Sequence, residues 1–333
     1  MFLSYEEIKD RLESELKAMM RVKLLTILKY VLGWIALISS IIFPVYFGTT
    51  TGNEAILWLS AFAFFFGVIF SIISFFKTLG TYRMTFKNKV VLNMVKLLIE
   101  TCQLPEVNPD DELKWGYRKL GRIDDFLVRK TGLFVQYDRL SGEDLIYGTL
   151  GLTDFYLSEL NLFIDKKNRD RNNRLKKIYN GVVFVADFNK DFKGHTLLRD
   201  KHFTSIGHLR RYFRYWFQRI WSGKKLSAIK LESKEFNSYF KVRTSNEIEA
   251  RYILSPNFME QLINFRKRHR NPIDISFKRS LISIAIPNKR DYFEPNIFES
   301  MKRSQARRVY NDLVFFFNII EEFDLNTRLW NKS

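Results

Sequence analysis

One cysteine, four histidines, seven prolines and 15 glycines in 333 residues leave little room for several kinds of chemistry. The lone thiol, Cys102, excludes an intramolecular disulfide and paired-cysteine metal sites, and it suits a reducing compartment. Zinc needs three or four ligands brought together. The histidines are His195, His202, His208 and His269, with neither HExxH nor CxxC around them, so no metal site is assigned. The glycines form neither GxxxxGK[ST] nor GxGxxG, which removes the backbone cradle that a P-loop offers to phosphates. Adjacent acids occur at Asp110/Asp111, Asp124/Asp125, Glu143/Asp144 and Glu321/Glu322. Such neighbours usually diverge to opposite faces or flank a turn, so they are read as solvated or capping groups. No catalytic residue and no cofactor is assigned.

What is abundant is apolar side chain and positive charge. Hydrophobic residues make up 46% of the chain, with 32 Phe, enough to fill a core and still supply lipid-facing segments. Lys and Arg number 54 against 36 acids, a formal net charge of +18. An excess of this size attracts polyanions over a Debye length of roughly 8 Å. Anionic lipid and nucleic acid both fit, and a membrane tether favours lipid.

Two uncharged runs supply that tether: Tyr30 to Phe47 and Ala55 to Phe76. About 20 apolar residues in a helix cross a hydrocarbon core, and the helix satisfies its own backbone polar groups there. Lys17, Arg21, Lys23 and Lys29 precede the first run, while Lys77, Arg83, Lys87 and Lys89 follow the second. The connecting GTTTGNE, residues 48–54, carries no basic residue. Basic flanks resist translocation, so both termini are expected in the cytosol and the pair is expected to be a transmembrane hairpin. A cleaved signal peptide is disfavoured by the long charged leader.

The expected organisation is a cytosolic amphipathic helix over 1–29, the hairpin over 30–76 (spans 30–47 and 55–76), a helical connector over 77–112 and a cytosolic domain over 113–333. In the leader, Ser4 and Glu7 stand at capping-box spacing, with Ile8, Leu12, Leu16 and Met19 on one helical face. From Leu113 to Phe203 the pattern is mostly strand-like, as in FLVRKTGLFVQYD, LIYGTLGLTDFYLSELNLFID and GVVFVADF, with Gly132, Gly142 and Gly181 as turn or boundary signals. Ile206 to Trp221, Pro256 to His269 and Phe298 to Phe323 carry helical spacing; KLSAIKLE and SLISIAIP read as strands. The predicted class is therefore α+β, with antiparallel strands behind an N-terminal two-helix transmembrane hairpin.

One segment stands apart. Lys166 to Lys177, KKNRDRNNRLKK, holds seven basic residues, one acid and one apolar side chain. Lys166, Lys167, Arg169, Arg171, Arg174, Lys176 and Lys177 are the candidate contacts to lipid or another polyanion; the plain alternative is a solvated loop in a long hairpin. In HLRRYFRYWFQRIW, His208 to Trp221, the apolar residues fall on one helical face and the arginines opposite. That is expected to be core packing with a basic outer face rather than a nucleic-acid surface, the alternative being an interfacial membrane helix.

Several phrases in order, VFVADFNKDFKG (183–194), LESKEFNSYFKVRTSNEIEARYILSPNFMEQL (231–262), ISFKRSLISIAIP (275–287), FEP (293–295) and LNTRLW (325–330), resemble an uncharacterised bacterial family with two N-terminal membrane spans and a cytosolic domain of unknown function. The resemblance implies a bacterial inner-membrane location, carries no activity, and suggests a LemA-like membrane protein as a partner. Arg251, Glu294 and Arg328 are polar residues inside apolar phrases, where a buried ion pair or a partner contact would explain each. The expectation is a membrane-anchored adaptor or scaffold that binds a protein partner or forms a homo-oligomer, and touches anionic lipid. The alternatives are an enzyme acting on a membrane-proximal substrate and a tethered nucleic-acid-binding protein.

Overall fold

In the computed structural model, Ser4 opens the first helix by capping it: its hydroxyl accepts from the Glu7 N–H, and the Glu7 carboxylate accepts from the Ser4 N–H at 2.8 Å. The structure describes residues 3–51, 54–101, 115–134, 137–150, 153–166, 174–201, 226–268, 272–287, 292–297, 299–300 and 305–322. The chain divides into a helical unit, 2–98 with 293–311, and a sheet unit built from 99–292 and 312–333.

In the helical unit, α1 (Tyr5–Arg11) leads into α2 (Glu13–Thr51), and α3 (Glu54–Phe86) continues through a π turn, Lys87–Val91, into α4 (Leu92–Glu100). Ile8, Leu12, Leu16 and Met19 are all buried, so the leader's apolar stripe is used for packing. Tyr5 meets the Tyr310 ring at 5.5 Å, and the Tyr310 hydroxyl donates to the Leu3 carbonyl at 2.8 Å. The expected connector, 48–54, is shorter than read, because α2 runs on to Thr51. Thr49 and Thr50 satisfy their hydroxyls on carbonyls one turn back, at Val45 and Tyr46, which lets polar residues extend an apolar helix. Helices α2 and α3 pack antiparallel: Tyr30 lies against Phe75 at 4.7 Å, Gly33 opposite Ser71 and Leu37 opposite Gly67. Both are long and apolar enough to cross a membrane.

Among the described residues, the sheet unit holds seven strands, antiparallel throughout. They are β1 (Trp115–Arg118), β2 (Arg139–Leu150), β3 (Thr153–Lys166), β4 (Arg174–Asp200), β5 (Ser227–Ile229), β6 (Phe240–Thr244) and β7 (Asp274–Pro287). The 27-residue β4 organises the rest. Its first half pairs with β3, its last residues pair with β6, and β7 runs along its other edge from Gly181 to Arg199. Around it are α5 (Asp125–Lys130), α6 (Lys234–Tyr239), α7 (Glu247–Ile253), α8 (Pro256–Arg268) and α9 (Ala306–Glu322). The core joins Ile123, Val128, Leu160, Leu162, Val183 and Val185 with their neighbours. Burying a large aliphatic or aromatic side chain contributes about 1.5–3 kcal/mol, so these positions carry most of the unit's stability.

The predicted α+β class holds, with several local corrections. FLVRK, read as a strand, is helix α5, because Asp124 caps it through the Phe126 N–H at 2.8 Å and Arg129 pairs with Asp125 one turn away at 2.7 Å. Gly132 does sit in a turn with φ +66°, whereas Gly142 and Gly181 lie inside strands. Gly142 is there for space: a Cβ would stand 2.3 Å from the Glu159 carbonyl oxygen. The last helix starts at Ala306 rather than Phe298, since Gln305 turns its amide back to the Glu299 carbonyl at 2.7 Å. Ser255 caps α8 with Pro256 in its first turn, and Phe258, Met259, Leu262 and Ile263 face inward as expected. Residues 102–114 and the segment Ile206 to Trp221 lie outside the described residues.

Candidate functional surface

The basic segment divides in two. Lys166 ends β3 and Arg174 begins β4, opposite each other in register, and Leu175, Lys176 and Lys177 continue β4 against Asp165, Ile164 and Phe163. This is the end of a long hairpin. Leu175 and Lys177 are exposed, and the Lys177 ammonium lies 5.7 Å from the Phe163 ring. Lys167, Arg169 and Arg171 fall outside the described residues.

Two of the polar residues inside the apolar phrases, Arg251 and Glu294, form ion pairs on the chain's own elements. Arg251 on α7 donates to Glu247 at 2.7 Å, to the Lys230 carbonyl at 3.2 Å and to Glu232. It is exposed, and these bonds tie α7 to the link between β5 and α6 at little desolvation cost. Within the helical unit, Glu294 pairs with Arg83 at 3.1 Å. Arg328 lies outside the described residues.

Of the four histidines, only His195 lies among the described residues. His195 sits on β4 with Nε2 3.0 Å from the Ser276 hydroxyl of β7, and His202 and His208 are outside the described residues. Ser276 donates its proton to the Thr131 carbonyl at 2.5 Å. The imidazole is therefore the donor in this pair, the reverse of what a base-activated serine requires. Burial, reinforced by Lys278 and Arg199, pushes the His195 pKa down to about 4, so the ring is neutral and serves as a fixed hydrogen-bond donor. Among the described residues no group of three His, Cys, Asp or Glu side chains could hold a metal ion.

Sequence reasoning missed a group of buried charges. Arg199 on β4 donates to Asp274 on β7 at 2.6 Å and to the Leu133 carbonyl at 2.8 Å, while Arg266 on α8 pairs with Asp200. Burial pushes the Arg199 pKa down to about 10 and raises that of Asp274, and their mutual attraction opposes both shifts. Nearby, the Glu249 carboxylate accepts from two successive backbone N–H groups, Lys193 at 2.8 Å and Gly194 at 2.7 Å, where β4 bulges away from β7. These contacts bind strands and helices to one another. No local sequence signal marks them, because the partners are 50 or more residues apart.

Among the described residues, two grooves open on the surface. One, about 520 Å³, lies between α6 and α8 over Met259 and Ile263, rimmed by Glu232, Glu235, Glu260 and Lys267. The other, about 440 Å³, runs between α2 and α3, with Thr26, Lys29, Tyr30 and Thr78 at one end and Leu37, Ser40 and Gly67 deeper in.

No curated protein matches this chain. Among solved structures it is similar to the mycobacterial trehalose monomycolate transport factor A, TtfA, with TM-score 0.31 and 11% identity over 63% of this chain and 88% of that one. Residues 177–325, from β4 through α9, match a family described as a protein of unknown function (DUF3137), in agreement with the uncharacterised family that the sequence resembles.

Proposed function

We propose that the protein is a membrane-anchored adaptor: α2 and α3 cross the bacterial inner membrane as a hairpin, and the sheet unit binds a protein partner on the cytosolic side. The observation that carries this reading is the exposure of large apolar side chains along both helices, Trp58 at 76% and Phe70 at 75% among them, between outer ends that carry the basic residues. A soluble protein does not leave two such faces in water, and the basic flanks set the orientation. The excess of Lys and Arg then meets anionic headgroups, each well-placed residue contributing about 1 kcal/mol. The tether raises the effective concentration of any membrane partner, so weak contacts suffice. A LemA-like membrane protein or a second copy of this chain fits that role.

Two measurements test the reading. A membrane-impermeant thiol probe is applied to intact spheroplasts carrying Cys102→Ser and a single Ser333→Cys; protection until lysis is expected, and labelling without lysis reverses the orientation. Cross-linking in membranes followed by gentle solubilisation should yield a stoichiometric complex or a homo-oligomer. Recovery of monomer alone under every condition counts against an adaptor.

A further inference from the structure

The segment Arg118–Lys130, between β1 and the end of α5, is held from within by Ile123 and Val128, which are 1% and 0% exposed. Leu127 packs partly against the same core, whereas Leu120 is 75% exposed and Phe126 66%. Single exposed apolar residues are ordinary. These two share one short segment with Arg118, Lys119, Arg122, Arg129 and Lys130, against only Asp124 and Asp125. Both acids are already engaged, Asp124 as the cap of α5 and Asp125 with Arg129. The Lys130 ammonium stands 4.2 Å from the Phe126 ring, so cation and aromatic are presented together.

Contacts link this patch to the end of the β3–β4 hairpin. Arg129 donates to the Tyr137 carbonyl at 3.3 Å and lies over the Tyr137 ring at 4.1 Å. The next residue, Asp138, donates its N–H to the Phe163 carbonyl at 2.9 Å, and Phe163 carries the Lys177 ammonium over its ring. A chain of contacts through the buried Tyr137 ring thus links the segment to the hairpin end that carries the exposed Leu175.

We infer that Leu120 and Phe126 insert into the headgroup and acyl boundary of an anionic bilayer, with Arg118, Lys119, Arg122 and Lys130 against its phosphates. Exposed apolar side chains set among cations are the pattern of an interfacial membrane contact. Nucleic acid would use the cations but gains nothing from an aliphatic side chain such as Leu120. The inference rests on the reading that α2 and α3 hold the protein at a membrane.

The test uses the full chain with Cys102→Ser and one new cysteine at a time: Leu120→Cys, Phe126→Cys, Leu175→Cys, or Ile248→Cys as a reference, the native Ile248 being 84% exposed on α7. Each is labelled with an environment-sensitive nitrobenzoxadiazole dye and reconstituted in nanodiscs of phosphatidylcholine, alone or mixed with phosphatidylglycerol. At positions 120 and 126 the dye should brighten, shift to the blue and be quenched by doxyl-labelled lipid in the anionic discs only, with loss of the signal at high salt. The dye at 248 should stay dark in both. Signals at 120 and 126 equal to the reference overturn the inference, while quenching at 175 in the same discs leaves the membrane reading standing. A blue shift without doxyl quenching means a protein contact and equally overturns it. Quenching that ignores phosphatidylglycerol removes the anionic contact. If the chain fails to incorporate into discs at all, the anchoring reading itself is lost.

Discussion

Arg199 and Asp274 stand directly opposite in the register of β4 and β7, with Nη1 2.6 Å from Oδ2 and both side chains buried. Removing one partner leaves the other charge buried and unpaired, which costs about 3–5 kcal/mol. Asp274→Ala is therefore expected to lower the unfolding free energy of the detergent-solubilised chain by that amount in urea titrations followed by tryptophan fluorescence. The double variant Arg199→Met with Asp274→Leu should lose much less, because an apolar pair carries no desolvation debt. Equal losses in the single and double variants would contradict this account.

His195 makes stability depend on pH. Its folded pKa, about 4, lies below the ordinary 6.5, so between those values the unfolded chain takes up a proton that the folded chain refuses. The stability held above pH 6.5 is lost as pH falls towards 4, by up to about 3 kcal/mol. Unfolding curves at pH 7 and pH 5 should differ by more in the wild type than in His195→Gln; an unchanged difference would show that the proton binds elsewhere.

Gly142→Ala places a Cβ 2.3 Å from the backbone oxygen of Glu159 and 2.7 Å from Leu160 Cδ2. Backbone cannot step aside as a flexible side chain does, so β2 and β3 must separate locally, at a cost of about 1–3 kcal/mol. A melting temperature within error of the wild type would mean the strands move apart freely.

The basic hairpin end should matter to lipid and hardly to folding. Replacing Lys166, Lys167, Arg169, Arg171, Arg174, Lys176 and Lys177 by Gln is expected to shift stability by less than about 1 kcal/mol, since surface changes are usually small. In anionic nanodiscs, hydrogen exchange through the β3–β4 hairpin should become faster than in the wild type, and high salt should abolish the difference. Identical exchange in both proteins would take the hairpin out of the lipid contact.

The sequence by itself determined what local chemistry controls. Apolar runs of spanning length make α2 and α3, Ser4 with Glu7 caps α1, Ser255 with Pro256 starts α8, and alternating runs make β2, β3, β4 and β7. Each of these depends on residues within a few positions of one another, so periodicity and capping suffice. Only the tertiary structure decided that FLVRK is helix, that Gly142 serves a close strand crossing, and that His195 donates to Ser276. It alone gave Arg251 and Glu294 their partners, and linked the segment of Leu120 and Phe126 to the basic hairpin end through the buried Tyr137. The reason is distance along the chain: Arg199 meets Asp274 across 75 positions and Glu294 meets Arg83 across 211. Such pairings are chosen by strand register and core packing, neither of which a short window of residues encodes.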